Sequence, residues 1–197
     1  MIPIIDGTGK GYVAQVDSDN RLLTKAVQIS EYDLQSDAGK AFNINTEFIS
    51  FTGSAETPII YVKNNAEQDA VLANFFIGTG NPGGTPTEQG LIKAYFNATS
   101  VSGGEAFSAA NRRAGAPETF EDFTILRHDN ATPIIATYSS ITPVLYQTQA
   151  APARVFGTIF LVLAKGQSIT ITYTPNGAQT VNIYAGFGGY LKPANGG

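Results

Sequence analysis

The chain has 197 residues, of which 14% are charged and 43% are hydrophobic, and none is cysteine. That length suits one sizeable core, or a core of about 150 residues with an appendage. With 12 basic residues and a formal net charge of -4, the surface lacks the clustered Lys and Arg that bind phosphate backbones, so we expect no direct nucleic-acid partner. The absence of cysteine excludes disulfides, thiolate metal sites and cysteine nucleophiles.

No segment is typical of secretion or of a membrane span. The N-terminus lacks a basic start and its apolar run ends at Asp6, unlike a signal peptide. The longest apolar run, residues 155–164, is far shorter than the ~20 residues that cross a bilayer. We therefore expect synthesis in the cytoplasm and no membrane partner, and we interpret the Asn-Ala-Thr triplets at Asn97 and Asn130 as chance matches to a glycosylation motif.

Residues 1–40 differ from the rest of the chain. Short apolar or alternating stretches at 2–5, 12–16 and 22–29 are separated by turn sequences. These stretches offer few side chains to bury, so the sequence predicts an N-terminal arm or hairpin that completes its hydrogen bonding against the same subunit or a neighbouring one. The alternative is an edge hairpin of the main sheet. Residues 31–40 are polar and predict one short helical turn.

The remaining residues, 41–197, are typical of strands separated by turns. Strands are predicted at 43–52, 58–63, 70–77, 91–98, 123–127, 134–138 and 144–149. Loops are predicted at 78–90, which holds five glycines and two prolines, and at 99–121, which is rich in small and polar residues.

The last strands have the clearest pattern. Residues 158–163 are almost entirely apolar, and residues 168–174 alternate between apolar and hydroxyl side chains. With a third strand at 181–190 and turns at 165–166 and 175–177, these segments predict an antiparallel meander with one wet face. The whole pattern predicts an all-β fold: a β-sandwich or jelly-roll-like domain over residues 41–197, with an extended N-terminal arm over residues 1–40.

Three motifs meet the requirements of a chemical site only in part. Residues 7–11, Gly-Thr-Gly-Lys-Gly, lack the spacer and the hydroxyl residue of a phosphate-binding loop and favour a flexible turn. Residues 17–20 lack the glycine and the terminal glutamate of a calcium loop. His128 is the single histidine, and we interpret it as a strand-end residue because no nucleophile elbow accompanies it.

Acidic and aromatic residues give further weak signals. Glu118 with Glu121 or Asp122 could supply the two carboxylates of a glycoside hydrolase, although any acidic loop meets this criterion. Five tyrosines could form a sugar-stacking platform, although tyrosines at strand positions mostly belong to cores: Tyr32, Tyr95, Tyr138, Tyr146 and Tyr184. Arg112 and Arg113 either pair with acidic groups of a neighbouring subunit or solvate their loop. We expect no catalytic residue, metal or cofactor.

Four segments together resemble structural proteins of tailed bacteriophage particles. They are residues 6–22, DGTGKGYVAQVDSDNRL; residues 42–46, FNINT; residues 73–80, ANFFIGTG; and residues 160–168, FLVLAKGQS. In that family an opening of this form leads into an all-β domain with a lysine-glycine hairpin near the end. The resemblance spans most of the chain and carries no catalytic motif.

The resemblance implies a non-enzymatic virion component that assembles in many copies, in particular an auxiliary or decoration protein on the capsid. Its partners would be the major capsid protein or other virion subunits, with further copies of itself, and its location would be the virion after synthesis in the host cytoplasm. On this hypothesis the partner-binding residues are Ile4, Ile5, Tyr12, Val13, Leu22, Arg112 and Arg113. Two alternatives stay open: a tail, connector or fibre-borne module that binds a receptor or glycan, and the small hydrolase named above.

Overall fold

A computed structural model describes residues 30–80, 90–113, 115, 119–138, 146–148 and 154–192 of the chain. By its internal contacts the chain divides into two units, Met1–Ser30 and Glu31–Gly197. The fold is mostly β-structure, with 66% strand and 5% helix. The predicted all-β class is confirmed.

The described elements are one short helix and thirteen strands. They are α1 (Glu31–Asp37), β1 (Ala41–Asn45), β2 (Ile49–Gly53), β3 (Thr57–Asn64), β4 (Ala70–Gly80), β5 (Gly90–Phe96), β6 (Ala98–Ser102), β7 (Glu105–Asn111), β8 (Thr119–Arg127), β9 (Ile135–Tyr138), β10 (Tyr146–Thr148), β11 (Arg154–Leu163), β12 (Ser168–Pro175) and β13 (Gln179–Leu191). The short helix and most of the predicted strands are confirmed, and the predicted loop at 78–90 falls mainly on residues outside the described part.

Eleven of the strands form one curled sheet in which neighbouring strands are antiparallel. Its order is β10-β5-β12-β3-β8-β7-β1-β13-β4-β11, and β2 also pairs with β13. β6 and β9 form a separate two-stranded sheet. Because side chains alternate along each strand, one face of the curled sheet encloses the core, which includes Phe42, Phe75, Tyr173 and Phe187.

The predicted strand at 43–52 is interrupted by a bulge. Asn45 pairs with Gly186 and Ile49 with Ile183, so β1 and β2 have one more residue than the facing part of β13. Glu47 holds the bulge with a left-handed φ of 59°. Its N–H donates to Asn45 Oδ1 at 3.0 Å. The bulge turns the following residue, Phe48, away from the core.

The predicted meander of the last three strands is wrong. The turns at Gly166 and Gly177 exist, with φ of 81° and 107°, but the strands they join do not pair with each other. Instead β11 pairs with β4, β12 lies between β3 and β5, and β13 lies between β1 and β4. A tight turn reverses the chain locally, whereas the choice of partner depends on which faces bury each other.

The predicted wet face of β12 is also wrong. Ser168, Thr170 and Thr172 are buried to the same degree as Ile169 and Ile171 on the opposite face. The hydroxyl side is covered by the chain around the two-stranded sheet of β6 and β9, where the Ala98 N–H donates to Ser168 Oγ at 3.2 Å. Alternation of apolar and hydroxyl residues therefore marks two different buried environments here.

The predicted loop at 99–121 is wrong, because it contains β6 and β7 and the start of β8. Gly103 and Gly104 adopt φ of 70° and 75° and make a tight turn between β6 and β7. On β7, Ala109 is completely buried and Phe107 packs against the core. Small residues hid this strand, because an alanine fits a core position that strand propensity assigns to larger side chains.

The helix α1 packs against the sheet through Tyr32, whose ring meets that of Tyr190 edge to face at 6.1 Å. It ends where Gly39 adopts a left-handed φ of 71°. The predicted boundary at residue 40 and the N-terminal arm stay predictions, since residues 1–29 lie outside the described part of the chain.

Candidate functional site

One depression in the described part of the chain, which we call the Tyr95 groove, lies between the main sheet and β9. It has a volume of about 430 Å³ and includes among its lining residues Glu56, Pro58, Tyr95, Ile135, Tyr138 and Thr172. Its lining is mainly apolar, with a few placed polar groups, as in ligand-binding clefts. Ile135 is 65% exposed at its rim.

A single carboxylate organises the polar part of the Tyr95 groove. Glu56 accepts hydrogen bonds from Lys93 Nζ at 2.6 Å, Tyr95 Oη at 2.7 Å and Thr172 Oγ1 at 2.7 Å. Partial burial acts to raise the pKa of Glu56, but the hydrogen bonds from Lys93, Thr172 and Tyr95 outweigh it and the pKa is lowered. The carboxylate therefore stays ionised and connects β5 to β12.

Beside this carboxylate, the rings of Tyr95 and Tyr138 stack with centroids 4.1 Å apart and planes inclined by 13°. Burial raises the pKa of Tyr138 to about 12. Its hydroxyl lies near that of Thr170, and neither is within normal hydrogen-bond geometry of a described partner. The groove thus holds neutral phenols beside an ionised glutamate.

The stacked pair does not present an open aromatic surface. Each ring covers one face of the other, and Tyr95 is only 7% exposed. Tyr32 and Tyr184 belong to two other aromatic clusters, and the side chain of Tyr146 lies outside the described part. Of the four proposed sugar-stacking tyrosines whose side chains are described, Tyr95 and Tyr138 lie together, and their ring faces pack on each other.

A second surface, which we call the Phe48 patch, consists of Glu47, Phe48, Glu105, Arg127 and Tyr184. Phe48 is 73% exposed, and its ring meets Tyr184 edge to face at 5.1 Å. The depression beside it has a volume of about 250 Å³. A large aromatic side chain held outside the core, beside an arginine, is typical of protein interfaces.

Charged groups surround Phe48. Arg127 donates to Glu105 Oε2 at 2.8 Å, to the Thr46 carbonyl at 3.1 Å and to Glu47 Oε2 at 3.4 Å. The hydrogen bond from Arg127 lowers the pKa of Glu105. A third acid, Asp129, lies in the same depression, and hydrogen bonds from the Ala131 N–H and Thr132 lower its pKa. With two carboxylates and one guanidinium the Phe48 patch is net negative, and Asp129 in the adjoining depression adds to this charge.

His128 lies at the edge of the same depression and is 5% exposed. It directly follows the end of β8 at Arg127, which confirms the interpretation as a strand-end residue. Its Nε2 is 3.3 Å from Asn130 Oδ1, and its backbone N–H donates to the Ile59 carbonyl at 2.8 Å. These contacts indicate that His128 supports the structure beside the Phe48 patch.

The arginine pair predicted to contact partners lies just beyond the end of β7. Arg112 stacks over the Tyr32 ring, 4.9 Å from its centroid, and donates to the Tyr32 hydroxyl. Arg113 is exposed, and its backbone N–H donates to Asn111 Oδ1 at 2.9 Å. Both arginines therefore lie just after the end of a strand, and not in the middle of a long loop as the sequence predicted.

Most of the other predicted site residues lie outside the described part of the chain. The arm residues lie outside the described part: Ile4, Ile5, Tyr12, Val13 and Leu22. Residues 7–11 and 17–20 also lie outside it. Glu118 is outside it as well, the side chain of Glu121 is not described, and Asp122 is exposed on β8. The carboxylate pair stays a prediction.

Sequence reasoning missed Glu56 and Phe48. The partners of Glu56 are 37, 39 and 116 residues away in the chain, so no local motif marks the cluster. The shared parity of Lys93 and Tyr95 on β5 was the available signal. Phe48 was expected within a continuous strand, and the bulge at Glu47 alone turns it outward.

No group of three or more His, Asp or Glu side chains in the described ranges is arranged to hold a metal ion. Within those same ranges, no helix is long and apolar enough to cross a membrane. Neither family models, nor curated proteins, nor solved structures yielded a match to this chain.

Proposed function

We propose that this chain is a non-enzymatic structural protein of a tailed bacteriophage virion, an auxiliary or decoration protein that binds the capsid in many copies. The observation that carries the proposal is the edge position of β11 among the described strands. This strand has ten residues, RVFGTIFLVL, and stands at one end of the eleven-stranded sheet. Among the described residues it pairs with β4 alone.

A long apolar edge strand is hazardous for an isolated protein, because its unpaired N–H and C=O groups accept strands from other chains. Val162 of this strand is 50% exposed, so an apolar side chain reaches the surface there, and no described strand pairs with the outer side of β11. In a lattice of many copies the same property becomes an assembly device, since a strand from a neighbour completes the sheet.

The curled antiparallel sheet supports a finer proposal for the architecture: a β-sandwich or jelly-roll-like domain with residues 1–40 as an extended arm. The strand-like stretches of that arm are suited to an edge such as β11 of a neighbouring subunit. The side chains we assign to this contact are Ile4, Ile5, Tyr12, Val13 and Leu22. Partners are then capsid or other virion subunits, and the location is the virion.

Co-sedimentation with purified heads of the phage that encodes the chain tests the proposal. The full chain carries either the double substitution Ile4→Asp and Ile5→Asp or the control Thr8→Asp in the adjoining turn. We expect wild type and control to pellet with heads and the double variant to stay in the supernatant. A variant lacking residues 1–29 keeps α1 and should behave like the double variant while melting cooperatively.

If no form pellets with heads, the capsid role is wrong. Pelleting with isolated tails would then assign the chain to the tail or connector, and retention on an immobilised glycan would assign it to a fibre-borne binding module. If all forms pellet equally, the capsid role stands and the role of the arm is wrong.

A further inference from the structure

We propose that copies of this chain bind one another head to tail, with Arg113 of one copy docked on the Phe48 patch of the next. The inference rests on the multi-copy assembly in the proposed function and names a contact within it. It uses neither the arm nor β11, so it can fail independently of them.

The backbone conformation before Phe48, and not the choice of its side-chain rotamer, holds this residue outside the core. Two hydrogen bonds fix Thr46 to Ala185: the Thr46 N–H donates to the Ala185 carbonyl at 3.0 Å, and Thr46 Oγ1 accepts from the Ala185 N–H at 2.9 Å. The left-handed Glu47 that follows turns the chain outward. Exposing a phenylalanine gives up the hydrophobic stabilisation of burying its ring, and burial against a partner would recover it.

The chemistry of the patch specifies a cationic partner group with a flat face. The Glu47 and Glu105 side chains are 79% and 53% exposed, and Arg127 neutralises one of them at most. A guanidinium can stack on the exposed ring of Phe48 and hydrogen-bond to a carboxylate at the same time, which an ammonium group does less well. Arginine is therefore the side chain that this patch fits best.

An exposed arginine, Arg113, lies just beyond the far end of β7, the strand that contributes Glu105 to the Phe48 patch. β7 begins at Glu105, within the Phe48 patch, and ends at Asn111, two residues before Arg113. The six steps of β7 from Glu105 to Asn111 span about 20 Å, and Arg113 lies beyond that end, so the two side chains are too far apart to pair within one copy. Between copies they can pair, and a contact between different ends of identical subunits produces rings or filaments.

Arg113 and not its neighbour is the docking group. Arg112 is already stacked on Tyr32, which fixes the backbone from which Arg113 projects. Helix α1, which contacts Arg112 through Tyr32, also carries Asp33 and Asp37, so acidic residues are present at this end of the sheet too. Recognition therefore depends on one guanidinium meeting Phe48, Glu47 and Glu105, and it should respond to single charge reversals.

A charge-swap cycle in the full chain tests the contact by sedimentation equilibrium. We expect wild type to self-associate, and Arg113→Glu and Glu47→Arg each to raise the dissociation constant about tenfold or more. The double variant Arg113→Glu/Glu47→Arg should recover to within about threefold of wild type, because the reversed pair is again complementary. Phe48→Ser should weaken association as well, and Lys192→Glu, an exposed charge reversal elsewhere, should leave it unchanged.

Cysteine cross-linking gives a second, geometric readout, because the native chain has no cysteine. Glu47→Cys and Arg113→Cys chains are mixed under mild oxidation. We expect the mixed disulfide to form faster than either like-with-like disulfide, since a disulfide needs Cα atoms within about 7 Å. Unfolding midpoints of each variant show that the fold is kept.

The contact is overturned if the double variant associates no better than the singles, if mixed disulfides form no faster than like pairs, or if wild type stays monomeric up to about 1 mM, a concentration at which contacts of about 4 kcal/mol are half-formed. Pelleting with phage heads is measured separately. If phage heads bind the Arg113→Glu variant normally and the double variant does not recover self-association, this contact is wrong and the proposed function still stands.

Discussion

The backbone carbonyl of Ile44 lies directly against Gly186, so close that no β-carbon fits between them. The Phe76 ring covers the same glycine from another side. Both contacts occur where β13 is crowded between β1 and β4, and the backbone of a neighbouring strand cannot move aside as a flexible side chain can. Gly186 is therefore a packing requirement of the central strand.

Gly186→Ala should destabilise the fold by about 1–3 kcal/mol or more, because overpacking displaces backbone. Gly188→Ala is the matched control in the same strand, since a β-carbon added there would lie 3.4 Å from its nearest neighbours, an ordinary contact distance. Denaturant unfolding of both variants measures the difference. Equal losses at the two positions would contradict the crowding argument.

Glu56→Gln should reduce the free energy of unfolding near neutral pH by about 1–2 kcal/mol, because charged hydrogen bonds from Lys93, Tyr95 and Thr172 are weakened. The folded state lowers the pKa of Glu56, so its contribution is complete above the ordinary value of 4.5 and is lost as the pH falls through the lower folded value. Unfolding midpoints measured across the acid range should thus converge for variant and wild type. Parallel curves would show that Glu56 titrates alike in both states.

Thr170→Val should be neutral or slightly stabilising. The Thr170 hydroxyl is buried without a hydrogen bond of normal geometry, and removing an unpaired buried hydroxyl relieves a desolvation cost of about 1–3 kcal/mol. Thr172→Val, on the same face of β12, should cost about 1–2 kcal/mol because it removes a bond to Glu56. A loss at position 170 as large as that at 172 would show that Thr170 and Tyr138 do hydrogen-bond.

Tyr138→Phe should change the alkaline stability profile. Burial raises the pKa of Tyr138 from its ordinary value of 10.0 to about 12, so the folded protein retains the phenolic proton longer than the unfolded chain does. The stabilisation is complete below the ordinary value and is lost as the pH rises towards about 12. We expect the unfolding midpoint of wild type to fall more steeply in this range than that of the variant. Identical slopes would place Tyr138 in contact with water.

The sequence was informative wherever a strand has one apolar face or a turn has its own residue code. The strands at 58–63, 70–77 and 181–190 follow from their patterns, as does the helix that Gly39 ends. It was uninformative where small residues occupy core positions, as at Ala109, or where hydroxyls are buried by a second layer, as at Thr170. Neither feature can be recognised from the residues that are nearby in the sequence.

The candidate sites divide in the same way. Arg112 and Arg113 were visible in the sequence as a charged pair, although their place beyond the end of β7 was not. The Glu56 cluster and the Phe48 patch were not visible, because each joins side chains that are distant in the chain.

By itself, the sequence determined that the chain is all-β, where most of its strands lie and where it turns, because side-chain alternation and the φ preferences of glycine act over a few residues. Tertiary structure alone decided which strands pair, which hydroxyls are buried, and that Phe48 is exposed beside Arg127 while β11 ends the sheet. Those outcomes depend on burial between distant segments, and burial is a property of the assembled sheet.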